Sequence, residues 1–162
     1  MNQRAVDFRR ALGRFATGVA IVSVMDAVGR PAGMTISSFN SVSLEPPLIL
    51  FSIARSALSL PILSEARSYA VNILAEEQAE LSSRFAKSQA NKWYDVDFAV
   101  GQSGAPLIHG ALAHFECEPY AQYDGGDHVI FVGRVGHFNH SAQEKPLVFF
   151  EGRYRSLQDG RQ

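Results

Sequence analysis

The sequence predicts a mainly β protein, a small β-barrel with a few covering α-helices. Two observations lead to this prediction. About six to eight short segments are rich in β-branched residues or alternate between apolar and polar side chains, and turn residues separate these segments. Many short strands separated by turns are typical of β-barrels. The chain has 162 residues, the length of one domain, and no repeat, low-complexity stretch or linker divides it. We therefore treat residues 1–162 as a single domain.

The first half of the chain begins with a helical pattern and then changes to strands. Phe8, Leu12 and Phe15 recur at spacings of four and three residues, which places them on one face of a helix. β-Branched runs and turn residues follow. The predicted elements are, in order, a helix over 6–15, a strand over 19–25, a turn over 26–31, a returning strand over 33–39 and a continuous apolar, buried strand over 48–53.

The second half mixes two helices with further strands. Ala113, Phe115 and Cys117 alternate with polar residues and share one face of a strand. Residues 87–110 have weak periodicity and contain Trp93, and a segment of that kind is often a functional lid or a partner-facing loop. The predicted elements are, in order, a helix over 57–65, a strand over 69–74, a helix over 76–86, a strand from 111 onward, a tight turn at 124–127 and strands over 129–135 and 147–150.

Composition and charge exclude several classes of protein. Lys and Arg total 15 and Asp and Glu total 16, a net charge of −1, which argues against a nucleic-acid binder with its usual basic surface. Apolar residues make up 46% of the chain, too many for a disordered protein. Charged residues make up only 19%, below the roughly 25% of average soluble domains. We therefore expect a partner to cover part of the uncharged surface.

The sequence predicts a cytoplasmic protein with no membrane partner. Arg4 and Asp7 place charges where a signal peptide would have its apolar stretch. The longest nearly apolar runs, around residues 19–25 and 46–54, are far shorter than the roughly 20 residues that span a bilayer. The one cysteine, Cys117, forms no intrachain disulfide, which permits a reducing compartment.

Several familiar site patterns are absent or weak. No G-x-G-x-x-G follows a strand and no G-x-x-x-x-G-K-[ST] occurs, so neither a Rossmann site nor a P-loop is predicted. His137 and His140 have an H-x-x-H spacing, but on a strand that spacing places them on opposite faces, so we expect no metal site. Cys117 lies on the apolar face of its strand, where we expect a thiol to act as an inert small hydrophobe.

A dense run of hydroxyl side chains follows the first predicted hairpin. Residues 33–43 read GMTISSFNSVS, and serine is a poor strand former unless its side chain has a function. Hydroxyl and backbone groups at a strand end can hydrogen-bond the edge of a polar heterocycle without adding charge. The alternative is an edge strand with a solvated serine face.

Three further clusters carry charge. Arg55 and Ser56 precede a predicted helix, whose free N–H groups make an anion site there, although Ser56 could equally be a simple N-cap. Arg84 and Lys87 lie on either side of Phe85. These two cations either bind a ligand or only stabilise the C-terminus of a helix through its dipole. His128 opens a strand at the rim of the barrel and faces either a ligand or water.

Taken in chain order, these segments resemble the short-chain flavin reductases. That family contains the NAD(P)H-dependent reductase components of two-component flavin monooxygenases, such as the 4-hydroxyphenylacetate system. The resemblance spans about residues 8–157. The motifs that carry it are FATGV at 15–19, GMTISSF at 33–39, SLEPP at 43–47, YAVNIL at 69–74, RFA at 84–86, GAP at 104–106, FEC at 115–117, GDH at 126–128 and FVG at 131–133.

The resemblance implies a flavin-binding split β-barrel of Greek-key type and a homodimer whose flavin site lies near the subunit interface. It implies FMN or FAD and NADH or NADPH as cofactors. His128 would position the nicotinamide, as the catalytic residue, and His109 and Tyr154 would border the pocket. The residues implied for the flavin are Thr35, Ile36, Ser37 and Ser38 at the ring and ribityl chain, Phe51, Ser52, Arg55 and Ser56 on the phosphate side, and Arg84, Phe85 and Ala86 closing over it.

Three functional hypotheses follow from the resemblance. In the main one, the enzyme transfers a hydride from the nicotinamide to the flavin and supplies reduced flavin to a partner monooxygenase, so the cofactors provide the reactivity and no catalytic acid–base pair is needed. In the first alternative, the protein retains its flavin and reduces another acceptor, such as a cob(II)yrinate-type corrinoid or a ferric complex. In the second, it is a non-catalytic flavin-binding barrel.

Overall fold

The computed structural model describes residues 2–89, 91–142 and 145–157, and the rest of the predicted domain lies outside the described residues. The helices are α1 (Gln3–Leu12), α2 (Leu60–Glu65) and α3 (Ala79–Phe85), and a 3₁₀ turn (Glu76–Gln78) precedes α3. The strands are β1 (Thr17–Gly18), β2 (Ala20–Met25), β3 (Pro31–Ile36), β4 (Asn40–Leu44), β5 (Pro47–Ala54), β6 (Tyr69–Ile73), β7 (Phe98–Val100), β8 (Pro106–Ile108), β9 (Ala113–Gly125), β10 (His128–His140), β11 (Val148–Phe150) and β12 (Arg153–Arg155).

Seven strands form one antiparallel sheet in the order β3-β2-β6-β9-β10-β5-β4. β3 and β4 are consecutive in the chain yet lie at opposite edges, and they do not pair with each other. The sheet is therefore an open, split β-barrel. Four of its strands lie in the spatial order β6-β9-β10-β5. They form a Greek key, because β5, which comes first of the four in the chain, pairs with β10, which comes last. The predicted mainly β split barrel is confirmed.

The core consists of two apolar clusters on either side of β2. All but the last residue of β2 are buried, and because side chains alternate along a strand, Val22 faces one cluster and Ile21 the other. Burial of each such side chain stabilises the fold by about 1.5–3 kcal/mol. The barrel cluster includes Val22, Phe51, Tyr69 and Phe131. The second cluster, which lies against α3, includes Ile21, Leu74, Phe85 and Leu147.

Helix α1 begins three residues before the prediction of 6–15 and ends before Phe15. The side chain of Asn2 caps it by accepting a hydrogen bond from the backbone N–H of Ala5 at 3.1 Å, and Gly13 ends it. None of its residues is buried, so its apolar face is open to a partner. No helix in the described ranges is long and apolar enough to cross a membrane.

The described residues contain twelve strands, more than the predicted six to eight. The additional strands are short or serine-rich: β1, β4, β12, and the β7–β8 hairpin inside the segment predicted as a loop. The β9–β10 hairpin is longer than predicted, with 13 residues in each strand. Its tight turn is confirmed, with Gly126 at a positive φ of 75° that suits glycine. The strand predicted as buried over 48–53 is β5, in which Ile49, Phe51 and Ile53 are buried and the residues between them are half-buried.

Candidate functional site

The hydroxyl-rich segment after β3 lies at the split of the barrel. Ser38 Oγ donates a hydrogen bond to the carbonyl of Ser52 and accepts one from its N–H, both at 3.0 Å. Ser37 and Ser38 also line a cleft of about 450 Å³ together with Thr17. The Thr17 hydroxyl is buried in this cleft wall, with no hydrogen-bond partner among the described residues. The cleft lining therefore carries no charged side chain and combines these hydroxyl groups with apolar residues such as Phe39 and Leu50.

Thr35 connects the same strand to α3. Its Oγ1 donates a hydrogen bond to the carbonyl of Ser82 at 2.7 Å, and the Ser82 hydroxyl lies 2.7 Å from the Tyr154 hydroxyl. This chain of contacts joins β3, α3 and β12. The resemblance placed Tyr154 at the border of the pocket, whereas the contact with the buried Ser82 is not visible in the sequence.

Two residues of the predicted site have their side chains in the barrel cluster of the core. Phe51 is completely buried, and its ring stacks on Phe131 with the ring centroids 5.3 Å apart. Ile36 is 5% exposed and belongs to the same apolar cluster. Only the backbone groups of Ile36 and Phe51 are therefore available to a ligand, because their side chains fill the barrel.

Arg55 and His128 are brought together at one end of the barrel. Ala54, the last residue of β5, pairs with His128, the first residue of β10. Arg55 Nη2 lies 2.5 Å from the Asp124 carboxylate, and its Nε donates to the carbonyl of Gly126 at 2.8 Å. The arginine thus binds the β9–β10 turn, and Asp124 offsets part of its charge.

His128 is oriented by its neighbour in the chain. Its Nδ1 lies 2.7 Å from the Asp127 carboxylate, and that hydrogen bond and the charge of the ring lower the pKa of Asp127. An ionised carboxylate only accepts, so Nδ1 carries the proton and Nε2 is left to face other groups. His128 is half-buried, which leaves the ring edge accessible.

The predicted anion site at a helix N-terminus is wrong. Helix α2 begins at Leu60, three residues later than predicted, and Ser56 lies in the turn before it. Pro61 explains the shift, since proline is tolerated in the first turn of a helix but not in its interior. The free N–H groups of α2 therefore do not adjoin Arg55 and Ser56.

Arg84, Phe85 and Ala86 form the C-terminal end of α3. Arg84 Nη1 donates to the carbonyl of Tyr94 at 2.8 Å, and the ring of Phe85 is completely buried. Phe85 and Ala86 line a pocket of about 230 Å³, which Trp93 also lines. The structure also brings Arg84 and Lys87 together along a neighbouring open recess.

The contacts described above link the predicted site residues into three local groups. Ser37, Ser38 and Ser52 lie at the split, and Arg55, Ser56 and His128 lie at the end of the barrel. Thr35 joins the third group, Arg84, Phe85 and Ala86, through α3. Sequence reasoning missed Ser82 and the two residues Lys92 and Trp93, which contact Phe85. The signal that could have found Lys92 and Trp93 was the weakly periodic segment 87–110, which contains both of them.

Cys117 is buried, as predicted, and its pKa is raised to about 12, mainly by burial and also by the charge of Glu116. A thiol in that state is not a nucleophile at neutral pH. His109 lies 2.9 Å from the exposed carboxylate of Asp97, which orients it toward the β7–β8 segment. Among the described residues, no group of three or more His, Cys, Asp or Glu side chains could hold a metal ion.

Comparison with known proteins defines the class to which this chain belongs. The sequence model of the family described as "Flavin reductase like domain" matches residues 12–158. The chain therefore belongs to the flavin reductase like domain family, and the resemblance drawn from its motifs is confirmed.

Individual relatives share most of the chain. FMN reductase (NADH) SmoA from Agrobacterium fabrum is 44% identical over 153 residues, which cover 94% of this chain and 86% of that protein. The flavin-dependent monooxygenase reductase subunit HsaB from Rhodococcus jostii is 37% identical, covering 93% of this chain and 77% of that protein. The NADH:FAD oxidoreductase SgcE6 from Streptomyces globisporus, solved with NAD and FAD fragments, superimposes with a TM-score of 0.90 at 38% identity, covering 95% of this chain and 93% of that chain.

Proposed function

We propose that this protein is an NAD(P)H-dependent flavin reductase that transfers a hydride from the nicotinamide to FMN or FAD and supplies reduced flavin to a partner monooxygenase. The observation that carries the proposal is the position of residues 33–38 at the split of the barrel. One end of this segment lines the aromatic-walled pocket and the other lines the hydroxyl-lined cleft. Membership of the flavin reductase family supports the same conclusion.

The chemistry of the lining groups fits a flavin. A flavin has a flat ring system with carbonyl and N–H groups along one edge, which hydroxyl and backbone groups can match without a charged side chain. The buried Thr17 hydroxyl in the cleft wall has no partner among the described residues and is available for such a bond. Arg84 and Lys87, on the neighbouring recess that Glu80 also lines, provide positive charge for the phosphate of the cofactor.

The residues of this chain position the reactants rather than react. A bound flavin supplies the hydride-accepting chemistry of the reaction. The hydroxyls of Thr35 and Ser38 already donate to the carbonyls of Ser82 and Ser52, so they hold this segment in place. The Ser37 hydroxyl and backbone N–H groups of the segment stabilise negative charge at the polar edge of the ligand, since fixed dipoles there need no reorganisation. His128 presents Nε2 from the barrel rim to orient the nicotinamide, and Asp127 holds its ring in place.

The same proposal includes a homodimer in the cytoplasm. Several large apolar side chains are exposed on the described chain, and the low charge fraction of the sequence agrees with a covered surface. Phe15 and Leu44 are 78% and 94% exposed, respectively, and α1 has no buried residue. A second copy of the chain that covers this surface would remove it from water. Sedimentation at several protein concentrations tests this part of the proposal.

The decisive experiment is anaerobic mixing of the protein with NADH or NADPH and with FMN or FAD in all four combinations. We expect catalytic bleaching of the flavin absorbance near 450 nm with at least one pair. If no pair bleaches the flavin, the enzyme hypothesis is wrong and the protein is a non-catalytic barrel. Loss of flavin on extensive dialysis supports delivery to a separate monooxygenase, whereas retained flavin points to another acceptor, such as a corrinoid or a ferric complex.

A further inference from the structure

Three aromatic rings connect the end of α3 to β7. Phe85 and Trp93 meet edge to face with their ring centroids 5.0 Å apart, and Trp93 and Phe98 meet in the same way at 5.2 Å. Edge-to-face contacts of this kind are favourable beyond the area they bury. Phe85 is completely buried, so its position is set by the rings and strands around it. We call Phe85, Trp93 and Phe98 the ring ladder.

The ring ladder lies directly against the strand that enters the proposed flavin site. A Cβ atom placed on Gly33 would lie 3.3 Å from Trp93 Cζ2 and 3.5 Å from Phe85 Cε1. Both rings thus contact the β3 backbone two residues before Thr35. A shift of Trp93 would therefore move Phe85 or open a gap beside β3.

Two hydrogen bonds from basic side chains hold the segment with Trp93 on α3. Lys92 Nζ donates to the carbonyl of Phe85 at 2.9 Å, and Arg84 Nη1 donates to the carbonyl of Tyr94 at 2.8 Å. The lysine satisfies a carbonyl that the end of a helix leaves unpaired, and its charge suits the negative end of the helix dipole. Trp93 lies between these two bonds in the chain, so the residues on both sides of it are tied to α3.

We propose that Trp93 is a positioning residue for flavin binding, which rests on the proposed function. Trp93 and Phe85 line the same pocket of about 230 Å³, together with Ala86. That volume is below the roughly 300–1,000 Å³ of sites that enclose a whole ligand, so the pocket holds one part of a flavin nucleotide. The indole forms one wall of this pocket and keeps Phe85 and Ala86 against it.

The role of Trp93 depends on its ring and not on its N–H group. Trp93 Nε1 is buried, with no hydrogen-bond partner among the described residues. Replacement by phenylalanine therefore removes no hydrogen bond and keeps an aromatic ring in the ladder. Replacement by leucine removes both edge-to-face contacts, although it keeps an apolar side chain.

The test compares Trp93→Phe and Trp93→Leu with the wild-type protein. Flavin affinity is measured by the fluorescence anisotropy of FMN and of FAD, and the KM values for flavin and for NADH are measured separately. We expect Trp93→Leu to raise the flavin Kd and KM about tenfold and to change the KM for NADH less than twofold. We expect Trp93→Phe to remain within about threefold of wild type. Tyr94→Ala is the matched control, because the Tyr94 side chain is 81% exposed.

A second measurement avoids the risk that Trp93→Leu fails to fold. Trp93 is the only tryptophan in the sequence, so acrylamide quenching of the wild-type protein reports on this wall alone. We expect bound FMN to lower the bimolecular quenching constant of Trp93, obtained from fluorescence lifetimes. Lys92→Met, which removes the hydrogen bond to Phe85, should weaken flavin binding in the same direction as Trp93→Leu.

The outcomes separate the two proposals. A folded Trp93→Leu variant with wild-type flavin affinity, or an unchanged quenching constant with FMN bound, overturns the role of Trp93. A wild-type protein that binds no flavin and bleaches none overturns the proposed function instead. Equal losses of flavin and NADH binding in Trp93→Leu indicate general loosening of the fold and also overturn the inference.

Discussion

Ser38 and Ser52 form a paired contact across the split of the barrel, in which the Ser38 hydroxyl both donates to the Ser52 carbonyl and accepts from the Ser52 N–H, each at 3.0 Å. The contact has the same form as a rung of a β ladder, but a side chain takes the place of a strand. It holds the segment after β3 against β5 where the two edges of the sheet do not pair. The hydroxyl-rich motif therefore has a structural role as well as the proposed role in binding flavin.

The first prediction concerns this contact. Ser38→Ala leaves two backbone groups of Ser52 without their partner in a half-buried place, and we expect a loss of about 1–2 kcal/mol in the free energy of unfolding. Flavin affinity should fall as well, because the cleft loses its support. Urea unfolding and FMN titration measure the two effects. Ser41→Ala, at an exposed position of β4, should change neither, and equal stability of Ser38→Ala and wild type would contradict the prediction.

The second prediction concerns Glu116, whose buried carboxylate accepts a hydrogen bond from the N–H of Ser103 at 2.7 Å. Burial, the largest single effect, would raise its pKa, but the hydrogen bonds from Ser103 and Gln102 and the charge of His137 together outweigh it, and the pKa is lowered from its ordinary value of 4.5. A lowered pKa in the folded state means stability that is present above about pH 4.5 and lost as the pH falls through the folded value. We expect Glu116→Gln to cost about 1–3 kcal/mol at pH 7.

Thermal unfolding between pH 3 and pH 7 measures this effect. The stability difference between wild type and Glu116→Gln should shrink as the pH falls below about 4.5, because Glu116 then becomes protonated in the unfolded chain while it is still ionised in the folded protein. Glu118→Gln is the control, since Glu118 lies two residues further along β9 and is exposed. A difference between wild type and Glu116→Gln that stays constant with pH would show that the charge of Glu116 does not contribute.

Local pattern predicts the buried strands of this fold well and its edges poorly. The strands β2 and β6 are mainly apolar, with β-branched residues in each, and their positions follow from the sequence. β4 contains serine and asparagine and has mostly exposed side chains, so nothing in its local pattern predicts a strand. It forms because its backbone pairs with the edge of β5. The start of α2 is set by Pro61, and the spacing of apolar residues does not take the effect of this proline into account.

The candidate site is predictable in its residue types but not in its contacts. Motif order identified Thr35, Ser38 and Arg55, yet their partners come from elements distant in the chain. Thr35 binds the carbonyl of Ser82, 47 residues later, and Arg55 binds Asp124, 69 residues later. Such partners depend on the pairing of strands and on the packing of α3, and no local periodicity carries that information.

The third prediction concerns the β-bulge near Gly133. A Cβ atom on Gly133 would lie 2.5 Å from the Tyr69 hydroxyl and 3.0 Å from Cys117 Cβ, so Gly133→Ala should cost about 1–3 kcal/mol. The Tyr69 hydroxyl is buried without a hydrogen-bond partner among the described residues, and burial raises its pKa. Tyr69→Phe therefore removes a clashing atom at little cost.

A double-mutant cycle tests this relationship by urea unfolding. We expect Tyr69→Phe alone to change the free energy of unfolding by less than about 1 kcal/mol. We expect it to restore about 1 kcal/mol of the stability lost in Gly133→Ala, because the two residues are in contact. The rescue is partial, since Cys117 still crowds the new methyl group. Strict additivity of the two changes would mean that the hydroxyl is not the source of the clash.

The fourth prediction concerns the rim residue proposed to position the nicotinamide. His128→Ala removes the Nε2 group but leaves the contacts of Arg55 with the β9–β10 turn, so we expect the KM for NADH to rise about tenfold and the flavin Kd to change less than twofold. Asp127→Asn keeps an acceptor for Nδ1 but loses its charge, and it should raise the KM for NADH by about threefold. Steady-state kinetics with varied NADH measure the KM, and titration with FMN measures the flavin Kd. His140→Ala is the control, because His140 is an exposed histidine at the other end of β10. If His128→Ala raised the KM for NADH and the flavin Kd equally, His128 would have no specific role in positioning the nicotinamide.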